Sequence, residues 1–391
     1  MIPDIPDIPE IPEPAAPMAV PDWFDPTDDR TALAVWSRLT EPGDLLAAGF
    51  VRRHGPASAL GLVFTGTDDP DLRPRWRARL AGADPRRDLA VLRRFGGRLL
   101  VPGDSEWPGA LDLLEDRRPF CLWARGPHDL ADACSRAAAI VGARASTEYG
   151  DTIARELAFG CAERGVAVVS GAAYGIDAKA HGGALDGLGL TIAVLACGVD
   201  RPYPRGNAPL LDRIALDGVI VSEVPPGSSP TRNRFVHRNR LIAALTSATV
   251  VVEAGWRSGA SITAGEAGNL GRSVGAVPGP VTSSTSFGCH KLLREGAVCV
   301  TSVGDLLELV DPIGAGEPAA PPPLERAIHD GLPEEDLRVF DALPLRRHVA
   351  EVRLVDAAGL DPPTLTASLG RLELLGLAER GPAGWRRTPT S

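Results

Sequence analysis

Aromatic side chains are scarce in this chain. They make up 5% of its 391 residues, with only three tyrosines, so alanine, leucine and valine must carry most of the 44% hydrophobic content. No apolar run reaches the roughly 18 residues that span a bilayer, and no basic segment followed by an apolar stretch marks a secretory signal. A membrane role is therefore not expected, and the expected location is cytoplasmic. None of the six cysteines stands in a C-x-x-C pair, and no His–Cys spacing suits zinc. Most of them, such as Cys197, lie in apolar runs and read as buried free thiols of a reducing compartment.

A surplus of positive charge is also lacking. The formal net charge is −9, a balance that taken whole disfavours nucleic acid as a partner. The deficit is local, however. The first 30 residues hold eight acidic residues against Arg30 alone, which leaves the remainder close to neutral with its arginines gathered in particular segments. Residues 1–28 repeat Ile-Pro-Asp/Glu. Proline removes backbone donors and like charges repel, so this acidic tail is expected to be disordered.

What is present is an α/β pattern, and the length suggests two or three domains. A helical module is expected over 29–95, with helices starting near Thr31 and around 44–54 and 86–95. In the next domain, over 96–311, short apolar runs occur at 138–142, 166–171, 190–197, 218–224, 249–254, 273–278 and 297–301. They alternate with helical segments at 147–164, 178–187 and 238–247. Such strands predict a doubly wound, mostly parallel sheet covered on both faces. A Pro/Gly-rich linker over 312–323 leads to a module over 324–391. Its three expected helices (334–343, 347–358 and 363–376) and hairpin strands (377–380 and 385–388) match a winged helix. The third helix carries one basic residue, Arg371, which is poor for gripping DNA.

Three segments carry candidate binding chemistry. Ser170-Gly171-Ala172-Ala173-Tyr174-Gly175-Ile176-Asp177, followed by Lys179 and His181, comes after a predicted strand and opens a helix. Small residues there let backbone N–H groups approach an anion, and the helix dipole favours negative charge. The segment is neither G-x-G-x-x-G nor a P-loop, and its glycines would serve tight strand–helix packing equally well. Arg144 ends the first parallel strand at the carboxyl edge, where open α/β sheets bind ligands and a guanidinium suits phosphate. Residues 232–240 hold Arg232, Arg234, Arg238 and Arg240 around Phe235. Charge can track a nucleic-acid backbone while a ring stacks a base; the same pattern suits a helix start braced by ion pairs. Arg205 and Asn207 lie in another loop after a strand. Asp177 and His181 share a helix face at i, i+4, and Glu223 and Glu253 end strands at the same edge, which would suit acid–base chemistry. No nucleophile elbow, metal cluster or Walker motif accompanies them, so no catalytic residue and no cofactor are expected.

Taken in order, these segments resemble the DprA/Smf family over about 95–311. The matching residues are Gly142-Ala143-Arg144 with Tyr149-Gly150, Ser170 through Leu185, Gly198-Val199-Asp200 with Tyr203-Pro204 and Asn207, then Ser222-Glu223, Arg238-Asn239-Arg240 and Glu253. Ser258 through Thr263, Arg272, Pro278-Gly279 and Gly288-Cys289-His290 with Gly296-Ala297 complete the series. The resemblance implies a Rossmann-like core and a homodimer that binds single-stranded DNA, protects incoming strands in natural transformation and loads the recombinase RecA. Carried over by motif, Arg144, Ser170, Gly171, Arg205, Arg232 and Arg238 become DNA-contact candidates. Tyr174, Lys179, Asn207 and Phe235 join them, with Asn239 and Arg240 bracing the site and residues 289–295 at the dimer face. Tyr174 stands where the family is usually basic, which implies that one phosphate contact is replaced by stacking or lost. The alternatives are an enzyme or sensor for a nucleotide-like small molecule at the same phosphate site, and a transcriptional regulator acting through the winged helix.

Overall fold

The computed structural model describes residues 18–66, 73–256, 258–311, 331–345 and 347–388. Five helices open the fold: α1 (Asp29–Leu39), α2 (Leu45–His54), α3 (Pro56–Thr65), α4 (Pro74–Leu80) and α5 (Pro85–Arg94). Asp28, Asp44 and Asp84 cap α1, α2 and α5 by accepting from backbone N–H groups that lack an intrahelical partner. Trp36, Phe50, Leu60 and Trp76 interlock as the core of these helices.

The expected disorder of residues 1–28 needs correction from Met18 onward; residues 1–17 lie outside the described residues. Met18 N donates to Phe64 O (2.9 Å), Phe24 packs edge-on against Phe64, and Trp23 packs on Phe64 at a tilt. Two aromatic rings bury enough apolar surface to order this short stretch, although its acidic, proline-rich composition pointed the other way.

Among the described residues, nine strands build one sheet. Two short edge strands, β1 (Gly97–Leu100) and β2 (Leu122–Arg125), come first, followed by α6 (Leu130–Cys134), β3 (Ala137–Val141), α7 (Glu148–Glu163), β4 (Ala167–Ser170), α8 (Ile176–Asp186) and β5 (Thr191–Leu195). Then come α9 (Ala208–Asp217), β6 (Val219–Ser222), α10 (Arg232–Ala244), β7 (Ala248–Val251), α11 (Gly259–Asn269), β8 (Ser273–Ala276), α12 (Phe287–Arg294), β9 (Val298–Cys299) and α13 (Val303–Val310). The strand order is β1-β2-β6-β5-β4-β3-β7-β8-β9, parallel throughout except that β2 is antiparallel to both β1 and β6. Strands β1 and β2 each carry an arginine, Arg98 and Arg125, which interrupts the apolar run that marked the parallel strands in the sequence. Side chains alternate across the sheet as the pleat requires. Ala137, Ala139 and Val141 pack with α10 and α11 residues, while Ala138 and Ile140 pack with those of α7, α8 and α13.

The chain divides into two compact units, Met1–Ala319 and Ala320–Ser391. Within the first, α5 packs on β1, and Trp123 of β2 donates its indole N–H to Ser37 of α1 (3.2 Å). The second unit contains α14 (Glu334–Ala342), α15 (Glu351–Ala358), α16 (Pro362–Leu374) and an antiparallel pair, β10 (Ala378–Gly381) and β11 (Gly384–Arg387). The expected linker at 312–323 lies outside the described residues.

Two further readings are amended. Helix α10 begins at Arg232, not 238, because the Thr231 side chain accepts from Arg234 N and caps it. The basic segment is thus helical. Among the cysteines, Cys299 is exposed, on the two-residue edge strand β9, while Cys121, Cys161, Cys197 and Cys289 are buried.

Candidate functional site

The chain order of the sheet reverses at β3, which has β4 on one side and β7 on the other. In an open α/β sheet the crevice outside the carboxyl ends of such strands is where ligands bind. A cleft of about 720 Å³ opens there, bounded by Gly142, Arg144, Asp177, Thr231, Phe235 and Ser258 among others. Helices α8, α10 and α11 all begin at this cleft, and their dipoles add positive potential to it.

The floor is built by close backbone approach. Ala143 N donates to Glu253 O (2.7 Å) and Ile176 N to Ala143 O (3.2 Å), which pins the loop after β3 to the segment after β7 and to the start of α8. Gly175 sits at φ +73, and a Cβ on it would lie 2.3 Å from Ala143 O, so only glycine fits this turn. Gly171 is filled against in the same way: a Cβ there would fall 2.3–2.5 Å from the Arg238 guanidinium. Asn207 Nδ2 donates to Ala172 O (3.0 Å) and Ala173 O (3.1 Å), tying the 170–175 turn to the loop after β5.

The arginines of 232–240 divide by environment. Arg238 is buried under the cleft, donating to Gly171 O (2.8 Å) and Val194 O, with its Nε on Asn239 Oδ1 (3.2 Å). Burial pulls its pKa down to about 10, and Asp177 opposes that pull. Burial pushes the Asp177 carboxyl up, and the charge of Arg238 acts against that rise. Arg240 is enclosed against Glu223, through two contacts of 2.7 Å, and donates to Arg117 O (2.9 Å). Arg234 turns away from the cleft to Glu41, at 2.8 and 3.0 Å. Arg232 is exposed and has no ion pair or hydrogen bond from its side chain among the described residues. Asn239 Nδ2 donates to Gly259 O (3.2 Å), joining α10 to α11.

On the rim, the exposed Arg144 guanidinium lies 4.8 Å over the Phe235 ring, and Tyr203 packs at a tilt against Phe235, with the ring centres 5.7 Å apart. All three tyrosines, Tyr149, Tyr174 and Tyr203, are exposed on segments that follow parallel strands. Tyr174 packs over Gly206, beside the exposed Arg205. Lys179 lies on the first turns of α8 but pairs with Asp151 (3.1 Å). The Ser170 hydroxyl is fully buried and donates to Ile140 O (2.7 Å). The structure thus gathers Arg144, Arg232, Phe235 and Arg238 at one cleft, and turns the side chains of Ser170, Arg240 and Lys179 to internal partners. Sequence reasoning left Tyr203 off the site. An aromatic in a loop after a strand, in so aromatic-poor a chain, was the available signal.

The groups that suited acid–base chemistry have other occupations. Glu253 accepts from Thr147 N (2.9 Å) and Thr147 Oγ1 (2.6 Å), and Glu223 from Arg240. Asp177 accepts from Ala173 N (3.3 Å) and makes no hydrogen bond to His181. His181 is fully buried with Nδ1 2.7 Å from Thr191 Oγ1. Thr191 already donates to Val168 O, so Nδ1 carries the proton; Nε2 has no partner among the described residues. Burial pulls the His181 pKa down to about 3, from an ordinary value of 6.5. Below pH 6.5 the unfolded chain takes up a proton that the fold refuses, so this contribution to stability is complete above pH 6.5 and is lost as the pH falls. Between pH 7.5 and 5.5 the fold is expected to lose roughly 1 kcal/mol from this residue. Urea melts of the chain and of His181→Leu at both pH values measure it, and an equal pH effect in both proteins would exclude His181 as the cause.

Comparison with known proteins places these features. Residues 98–311 match the family model described as DNA recombination-mediator protein A. The chain is 47% identical over 372 residues to a DNA processing protein DprA of Mycobacterium tuberculosis, covering 93% of this chain and 95% of that one. It is 40% identical over 204 residues to the DNA processing protein DprA of Streptococcus pneumoniae, covering 52% and 71% respectively. The X-ray structure of the Streptococcus pneumoniae protein superposes with a TM-score of 0.61 at 32% identity, over 73% of this chain and 98% of that one.

Proposed function

Because the chain belongs to the DNA recombination-mediator protein A (DprA/Smf) family, we propose that it binds single-stranded DNA in the cleft at the carboxyl edge of its sheet, without chemistry on the strand. The observation that carries this reading is Arg144. Its guanidinium is exposed, has no carboxylate partner among the described residues, and lies over the Phe235 ring, 4.8 Å from its centre. A cation fixed over an aromatic ring offers a backbone phosphate a charge and a base a stacking surface in one place. Arg232 stands exposed along the same cleft, and Arg238 supplies a buried charge beneath it; Arg205 is exposed in the loop after β5.

The finer roles that the family resemblance implies, protection of incoming strands, loading of RecA and action as a homodimer, extend the same proposal. We read the second unit as a winged helix that docks protein in preference to DNA. Arg371, the one basic residue of α16 (Pro362–Leu374), is held by Asp336 at 2.5 Å and so is not free for a phosphate.

With three or four phosphates engaged, the log–log salt dependence of oligo-dT binding is expected to have a slope of about −2 to −3. A slope near zero would exclude backbone recognition. The cleft's 720 Å³ also suits a nucleotide-sized ligand. Affinity that rises with oligo-dT length supports the strand reading; a thermal shift with a mononucleotide and none with oligo-dT would support the small-molecule alternative.

A further inference from the structure

A second cavity of about 260 Å³ lies at the opposite edge of the sheet, among Pro108, Cys134, Ser135, Leu245, Ser247 and Arg272. Ser247 immediately precedes β7 and Arg272 immediately precedes β8, so this is the amino edge, away from the DNA cleft. Arg272 is partly buried, and its Nε is enclosed without an acceptor. No ion pair or side-chain hydrogen bond reaches its guanidinium among the described residues. The Ser247 hydroxyl makes no hydrogen bond there either. The hydroxyls of Ser135 and Thr246 are already directed to Asp132 O and Ile242 O.

We propose that this cavity binds a small oxyanion group, held by Arg272 and Ser247. A guanidinium presents a planar fork of donors that matches a carboxylate or phosphate two oxygens at a time, and a buried donor without an acceptor is unfavourable until one arrives. The size, below the roughly 300 Å³ at which drug-sized sites begin, restricts the ligand to inorganic phosphate or a short organic acid. The apolar walls from Pro108, Ala131 and Leu245 suit the carbon body of an acid. The competing account is that Arg272 only balances the carboxyl-terminal dipole of α10, whose last residues line the same cavity.

Calorimetric titration of the full chain with potassium phosphate and, separately, sodium succinate, each at constant ionic strength, decides between them. The expected result is saturable one-to-one binding of at least one probe. That binding should weaken at least tenfold in Arg272→Gln, weaken measurably in Ser247→Ala, and persist in Arg144→Ala at the other edge. Binding of phosphate alone or of succinate alone identifies which source supplies the oxyanion. If Arg272→Gln fails to fold, the wild-type and Ser247→Ala titrations still decide. No saturable binding of either probe, or binding unchanged by both substitutions, overturns the proposal. The outcome is independent of whether the chain binds single-stranded DNA.

Discussion

Arg240→Ala is expected to lower folding stability by about 3–5 kcal/mol, the usual cost of stripping one partner from a buried ion pair. Arg240 is 1% exposed, and its two terminal nitrogens each meet a Glu223 oxygen at 2.7 Å. The same side chain donates to Arg117 O and, beside the intrahelical bond, to His237 O, so the substitution leaves a buried carboxylate and the Arg117 carbonyl without this donor. Arg240→Lys keeps the charge but not the fork and should recover only part of the loss. Removing both charges in Arg240→Met with Glu223→Leu should recover most of it, because no unpaired ion remains. Urea melts give the values. A loss under about 1 kcal/mol in the single variant would mean that water reaches and satisfies Glu223.

Arg144→Ala should do the opposite: leave the fold alone and weaken binding. The side chain is exposed and, among the described residues, makes no ion pair or hydrogen bond and rests on the Phe235 ring, so the stability change should stay within about 0.5 kcal/mol. A hydrogen bond to a charged group contributes about 1.5–3 kcal/mol, so oligo-dT binding should fall roughly 10- to 150-fold. The salt slope should become shallower by about 0.7, one phosphate's share on a single strand. Arg144→Lys should fall between, since an ammonium keeps the charge but loses the guanidinium's planar fork of donors. Unchanged affinity in Arg144→Ala, with the melting curve intact, would move the strand away from this rim. Arg238→Ala cannot serve as the same test. That guanidinium fills the space against Gly171 and bonds two backbone carbonyls, so its loss changes the fold and the cleft together.

These contrasts mark how much of the site was legible beforehand. A strand ending in Arg144, a small-residue turn at Ser170-Gly171 and a cluster of arginines around Phe235 could each be placed at a carboxyl edge from hydrophobic period alone. Which arginine faces a ligand could not. Arg232, Arg234, Arg238 and Arg240 are equivalent as letters, yet they point to solvent, to Glu41, to Gly171 and Val194, and to Glu223. Those partners lie up to 193 residues away in the chain, beyond the reach of any local pattern. The tail shows the converse error: its average composition hid Trp23 and Phe24, whose packing on Phe64 orders the segment.

The sequence by itself determined the α/β class, the run of buried parallel strands and the sheet edge at which polar residues collect. These follow from periodicity and from the chemistry of short segments, which need no distant partner to be expressed. Only the tertiary structure decided the strand order, the antiparallel edge of β1 and β2, the split of neighbouring arginines into struts and free cations, and the second cavity at Arg272. Each of these depends on which remote groups meet, and burial with or without a partner fixes whether a charge holds the fold or is left for a ligand.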